Sequence, residues 1–462
     1  MLINSHTQFP KRFVQRHKFL RYSIVFSLKS NIYCLKSIIF CLKSNVLSLS
    51  SYVYLPINSP IMLKLQADYV FPIHQPPIEN GVVVVNSDGY IVEVVSDGVY
   101  PPDEVTRYRG VLCPGFVNAH CHIELSHLKG VIAEGTGLIG FLQPIGALRQ
   151  ATDETTILQK IVAAEKEMME NGIVAVGDIS NTTHSFDQKN KGNMNYHTFL
   201  EIFGLNPVRA ETSMELGSAL FDSFPDVVGN RCSIAPHAPY SVSGKLLRQI
   251  EAFSAQHGGG VLSIHNQECW AEEEMYRYGT GAFIDFYRQI GLGHLIEFFT
   301  PPGTSSLQYI LAHLSGLCKL LLVHNTFTTA EDIAFAQKTY PNEVYWCFCP
   351  NANLYIENRL PDFDAFIRHN CRIVIGTDSL TSNWQLCVLS ELKTIAKHAP
   401  HISLADLLKW ATLNGAQALG FEKELGSFET GKKPGVVLIE NLNPDTLQLT
   451  EQSTARKIVV SG

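Results

Sequence analysis

The sequence predicts an α/β protein, a (β/α)8 barrel of the TIM type with a small β-sandwich formed from both termini. Three observations carry that expectation. Short, near-continuous apolar runs recur from residue 114 onward: PGFVNAHCH (114–122), IVAVGDIS (173–180), YHTFLEIFG (196–204), CSIAPHAPY (232–240), VLSIHNQE (261–268), KLLLVHNT (319–326), VYWCFCPNAN (344–353) and RIVIGTDS (372–379). Longer amphipathic stretches separate these eight runs, as helices covering both faces of a parallel sheet would. Two β-rich segments, 62–110 and 425–462, flank the alternation, and each is too short for a core of its own.

Taken in order, the first 61 residues stand apart. They carry eight Lys/Arg, no Asp or Glu, and a Leu-Lys-Ser repeat at Leu28, Leu35 and Leu42. Such a basic, Ser-rich tract fits an organelle transit peptide or an upstream stretch read through to Met62, and its lack of punctuation favours the second. Either way it is expected to lie outside the fold. Within 62–113, GVVVVNSDGYIVEVV reads as two strands around Asp88-Gly89, a hairpin signal. Between the first two apolar runs, ATDETTILQKIVAAEKEMMENG sets Ile157, Ile161, Ala164 and Met168 at helical spacing, and Asn171-Gly172 closes the helix. GTGLIG (135–140) follows no strand directly and reads as a loop, so nothing supports an open dinucleotide-binding sheet. With 425–462 returning to GVVLIE and RKIVV, the expected organisation is an extension 1–61, a composite β-sandwich 62–113 plus 425–462, and a barrel 114–424.

Composition narrows the function classes. The chain has 462 residues, 45% hydrophobic and 17% charged, with no apolar run of transmembrane length. Eight of the 36 basic residues and none of the 43 acidic ones fall in the first 61, so residues 62–462 carry a formal charge of −15. So acidic a body is a poor nucleic-acid or membrane binder, and a small molecule is the expected partner. The oligomeric state is left open, a homo-oligomer included. Eleven scattered cysteines without Cys-x-x-Cys suit reduced, cytoplasmic chemistry. Cys347 and Cys349 share a strand face, and buried inert thiols are the expected reading there.

Active sites of such barrels collect at the C-terminal ends of the strands. His120 and His122 end the first run, and side chains two apart on a strand point to one face, so the two rings converge. A pair alone reads first as two hydrogen-bonded strand-end residues, with a metal site as the alternative. The fourth run adds His237, the fifth His265 and Glu268, the sixth His324 and the eighth Asp378. Polar groups at the same point of five βα units are hard to obtain by chance.

The pattern Pro-Gly-x-x-x-x-His-x-His, then His-x-x-Glu, a later His and Gly-Thr-Asp resembles the amidohydrolase superfamily, and within it the adenosine- and cytosine-type deaminases, S-adenosylhomocysteine and aminodeoxyfutalosine deaminases among them. The likeness spans residues 62–440 and includes ATLNGAQALG (411–420) and GSFETGKKPG (426–435). It implies that His120, His122, His265 and Asp378 bind one divalent metal, most simply zinc, with iron as the alternative. It further implies that His324 orients the water on that metal, that Glu268 shuttles protons with Asp378 as a second proton acceptor, and that His237 faces the substrate. Two-metal members carry a modified Lys on the fourth strand; RCSIAPHAPY has none, so a single metal is expected. The other zinc deaminase class needs Pro-Cys-x-x-Cys, which is absent although His122-Ile123-Glu124 mimics its first half.

Trp270 and Asn383 are candidate substrate contacts, Trp270 by stacking on a flat heterocycle. Trp270, Tyr240, Asn383 and Trp384 serve packing equally well, and Arg209 reads as an exposed loop residue. The reaction expected is hydrolytic deamination of a heteroaromatic, purine-like amine. Ring amide hydrolysis or dechlorination would use the same residues. A catalytically silent binding barrel is disfavoured because no ligand and no proton carrier is missing.

Overall fold

The computed structural model describes residues 62–257 and 260–458; the basic extension 1–61, with the expectation attached to it, lies outside them. Five strands precede the first apolar run: β1 (Met62–Val70), β2 (Ile78–Glu79), β3 (Val82–Asn86), β4 (Ile91–Val95) and β5 (Thr106–Pro114). Eight follow: β6 (Phe116–Cys121), β7 (Ile173–Ser180), β8 (Asn195–Ile202), β9 (Arg231–Pro236), β10 (Val261–Asn266), β11 (Lys319–His324), β12 (Val344–Phe348) and β13 (Arg372–Ile375). Two close the chain, β14 (Val436–Glu440) and β15 (Thr454–Ile458).

The terminal strands hydrogen-bond into one seven-stranded mixed sheet of order β15-β14-β5-β1-β3-β4, with β2 beside β1. β-Branched residues dominate it, and Val82–Val85 are buried throughout. The β3–β4 hairpin turns where expected. The Asn86 side chain accepts from the backbone N–H of Asp88 and Tyr90 at 3.0 and 2.9 Å, and Gly89 takes φ +89°. Leu65, Val83, Leu112, Phe428, Val436 and Leu438, drawn from both ends of the chain, form one apolar cluster.

All eight apolar runs carry a strand. They form two parallel four-stranded sheets, β6-β7-β8-β9 and β10-β11-β12-β13, each in sequence order with helices between strands. Backbone bonds link the sheets at both edges: His265 N–H to His237 C=O at 3.0 Å, and Thr377 and Asp378 N–H to His120 C=O at 3.0 Å. Both faces are buried, which is why the runs are continuously apolar. On β11, Leu321 and Val323 join one core and Leu320 and Leu322 the other. The helix Glu154–Glu170 starts at Asp153, whose side chain accepts from Thr156 N–H, and it buries Ile157, Ile161, Ala164 and Met168 as the spacing predicts.

GTGLIG corrects the expected loop: a helix begins at Gly137 and runs to Ala151. Its exposed-end N–H at Leu138 donates 2.6 Å to Glu357, a residue 219 positions away. A helix start satisfied by a tertiary partner leaves no local signature. No described helix is long and apolar enough to cross a membrane.

Candidate metal centre

His120 and His122 reach the site through a break in their strand. Val117 and Ala119 face the inner core, so strict alternation would send His120 to the opposite face. The β6–β7 register shifts between Asn118 and Cys121, and a bulge of this kind re-aims the side chains that follow it. Asn118 then ties the first strand to the last. Its Nδ2 donates to Thr377 Oγ1 at 2.7 Å and its Oδ1 accepts from Thr377 N–H at 3.0 Å. Asp378, at φ +57°, is thereby set beside both rings, its Oδ1 3.6 Å from His120 Nε2 and 3.4 Å from His122 Nε2. Its Oδ2 accepts from Ser382 Oγ at 2.6 Å. His265 arrives by ordinary alternation along β10.

The Nε2 atoms of His120 and His122 are 3.2 Å apart, and those of His122 and His265 3.3 Å. Burial holds all three imidazoles below their usual pKa, and for His122 and His265 well below it. The His265 Nδ1–H donates to the His237 carbonyl at 2.8 Å, so its Nε2 faces the others as a bare lone pair. Lone pairs at this separation repel unless a cation lies among them. Zn–N bonds of about 2.0–2.1 Å in a tetrahedron place ligand nitrogens about 3.3 Å apart. Asp378 stays ionised: burial opposes its charge, but the imidazoles of His120, His122 and His324 beside it hold its carboxyl well below the ordinary range. Three neutral nitrogens and one carboxylate therefore suit a single divalent cation.

Glu268 follows Gln267, which is held at φ +45°, and its backbone N–H donates to Glu272 at 3.2 Å. Burial first, then the charge of Asp378, pushes its carboxyl well above the usual range, which favours the protonated form. Its Oε1 lies 3.6 Å from His324 Nε2. His237 sits beside the cluster with Nδ1 2.8 Å from Ser241 Oγ, and burial lowers its pKa to about 3. Phe203 packs on that ring at 4.6 Å between centroids.

The remaining candidates separate. Trp270 is half exposed and faces Phe327 at 6.3 Å, free to meet a ligand. Asn383 is not: its Nδ2 donates to Thr377 C=O at 2.7 Å and Glu391 at 2.8 Å, and its Oδ1 accepts from Gln385 N–H at 3.3 Å. Both amide hydrogens of that side chain are taken up by protein groups. Tyr240 stacks on Phe283 at 4.0 Å as packing. Cys347 and Cys349 are buried, and Arg209 is exposed.

Three acidic groups escaped the sequence reading. Glu201 lies two residues beyond inward-facing Phe199 on β8; its Oε1 is 3.6 Å from His265 Nδ1 and burial raises it to about 8. Period-two alternation from Phe199 was the available signal. Glu124 accepts from Arg149 at 2.6 Å and from Asn181 N–H at 2.9 Å. Asp178 and Lys189 form a fully buried pair at 2.6 Å, and Asp178 also accepts from Ile123 N–H at 2.8 Å, holding the turn just after His122. Lys189→Met strands a buried carboxylate and is expected to cost about 3–5 kcal/mol in urea unfolding. A loss under about 1 kcal/mol would mean that Asp178 simply takes up a proton.

Known proteins resemble this chain along most of its length. The 5-methylthioadenosine/S-adenosylhomocysteine deaminase of Teredinibacter turnerae is 25% identical over 398 residues, covering 81% of this chain and 83% of that protein. The crystal structure of Helicobacter pylori aminofutalosine deaminase in complex with methylthio-coformycin superposes with a TM-score of 0.69 at 22% identity, covering 86% of this chain and 99% of that one. A zinc-bound adenosine deaminase from Xanthomonas campestris gives 0.64 at 23% identity, covering 86% and 92%. The model of the Amidohydrolase family matches residues 111–462, and with the strand-end histidines, Glu268 and Asp378 gathered at one point, the chain belongs to that family.

Proposed function

We propose that this protein is a metal-dependent aminohydrolase that removes the exocyclic amine of a purine-like nucleoside or base. The observation that carries the reading is the meeting of three neutral imidazole nitrogens, 3.2 and 3.3 Å apart, with an ionised Asp378 beside them and Glu268, whose carboxyl burial pushes well above the usual range, facing His324. His120, His122, His265 and Asp378 would hold one divalent cation, with zinc the first choice and iron the second. When bound, the cation supplies the Lewis acidity that brings a water within reach of ionisation at neutral pH.

The chain's own groups do the rest. Glu268 gives its proton to the ring nitrogen next to the amine-bearing carbon, which makes that carbon electrophilic. The water adds there and a C–O bond forms, while Asp378 accepts its proton and the bare Nε2 of His324 orients it. Glu268, now a carboxylate, takes the remaining proton of the added oxygen and hands it to the leaving amine, and the proton held by Asp378 returns to Glu268 as the products leave. The C–N bond breaks, and ammonia and the oxo product depart. His237 and Trp270 would contact the heterocycle. In this reading the eight parallel strands close into a barrel at 114–424, supported by the backbone bonds at both sheet edges. The seven-stranded sheet of 62–113 and 425–462 coils over its own apolar cluster as the small sandwich. The nine described cysteines are free thiols, in keeping with a cytoplasmic protein.

The test is ammonia release from the purified protein against adenosine, 5′-methylthioadenosine and related aminopurine nucleosides, with metal analysis on the same sample. Equal amounts of ammonia and of the oxo product are expected. Metal-loaded protein that releases no ammonia from any member of the panel would overturn the reading, and release of chloride or ring-opened product would move it to another leaving group.

A further inference from the structure

Asn353 lies in the first turn of the helix Pro350–Glu357, directly after β12, and is buried. It grips His324 at two points: its Oδ1 is 2.8 Å from the ring Nδ1, and its Nδ2 is 3.4 Å from the His324 carbonyl oxygen. The second contact orients the first. A carbonyl oxygen only accepts, so the amide nitrogen must face it. That turns Oδ1, also only an acceptor, toward the ring. Nδ1 of His324 must then carry the hydrogen, and in a neutral imidazole Nε2 is left with a bare lone pair. That Nε2 is buried, has no hydrogen-bond partner among the described residues, and points to within 3.6 Å of Glu268 Oε1.

The backbone at this point needs holding. His324 and the next residue, Asn325, both take left-handed conformations, φ +73° and +58°, which non-glycine residues avoid unless their surroundings impose them. The Asn325 side chain anchors its own end on the Leu322 and Cys347 carbonyls at 2.8 and 3.1 Å. Asn353 anchors the ring and carbonyl of His324.

We infer that Asn353 is a positioning residue that fixes the Nδ1–H tautomer of His324, so that an acceptor rather than a donor faces the reacting water. This rests on the deaminase reading above for the role of His324, whereas the tautomer itself does not. Asn353→Leu keeps the shape and removes the acceptor; Asn353→Asp keeps the acceptor. The Leu variant is expected to lose about 10²-fold in kcat, with KM and metal content within twofold of the parent. The Asp variant is expected to recover to within about tenfold of the parent. Independently of turnover, ¹⁵N shifts of histidine-labelled protein, assigned with His324→Gln, should report Nδ1–H at His324 in the parent chain.

An Nε2–H ring in the parent, a Leu variant with unchanged kcat, or an Asp variant as slow as the Leu variant would each overturn the inference. A parent chain that releases no ammonia yet shows Nδ1–H sinks the deaminase reading and leaves the tautomer assignment standing. If the Leu variant does not fold, the Asp variant and the parent spectrum still decide the matter.

Discussion

Glu268→Gln is expected to fold, to keep its metal, and to turn over at least about 10³-fold more slowly than the parent chain, a barrier increase of about 4 kcal/mol or more. The reason lies in what the substitution preserves and what it removes. Gln has the same shape and can still donate a hydrogen bond from the position that Glu268 holds against His324. It cannot release a proton and take it back. Glu268 is buried, and burial and the charge of Asp378 favour its protonated form by disfavouring a second carboxylate there. A group kept protonated in the resting site and made acidic only as the ring nitrogen gains basicity is suited to both halves of a proton relay. Because the lost interaction belongs to the reaction and not to binding, kcat should fall while KM changes little. Ammonia release and metal content measured on the same preparation check this. Parent-like turnover would remove Glu268 from the mechanism, and loss of metal would make it a structural support of the centre.

His265→Gln is expected to abolish metal retention and activity together, and to bring the protein's thermal unfolding close to that of chelator-treated parent chain. His265 is central to the cluster: its Nε2 lies 3.3 Å from that of His122, and its tautomer is set by the His237 carbonyl. Without it, two nitrogens and one carboxylate remain of the four donors gathered here, and the loss of one ligand weakens the hold on the cation. Metal that binds only the folded state, present at about 1,000 times its dissociation constant, contributes about 4 kcal/mol of stability. The chelated protein should therefore melt several degrees lower and recover on adding back the cognate ion, and a reconstitution series distinguishes zinc from iron. Full activity in protein shown to be metal-free would refute the metal centre.

Much of the fold was legible in the sequence. The hairpin at Asp88-Gly89, the helix that buries Ile157 to Met168, and the eight apolar runs are written in local periodicity, because a strand buried on both faces is apolar at most positions and an amphipathic helix only every third or fourth. His265 also follows from periodicity, alternating on β10 with residues of the outer core. What periodicity could not supply was aim. His120 and His122 face inward through a register shift in β6, and His324 faces the site on a residue of positive φ. Asp378 comes beside them by a bridge between Cys121 and a residue 257 positions later. Asn383 sat at a strand end in sequence but spends its amide on Thr377 and Glu391, whereas Glu201 and Asn353 looked ordinary and lie against the cluster.

The sequence by itself determined which segments become strands and helices and which chemical groups end them, since those depend on each residue's neighbours along the chain. Only the tertiary structure decided which of these groups meet, because that depends on strand neighbours hundreds of residues away, on a shifted register, and on left-handed torsions at residues such as His324 and Gln267 that their surroundings impose.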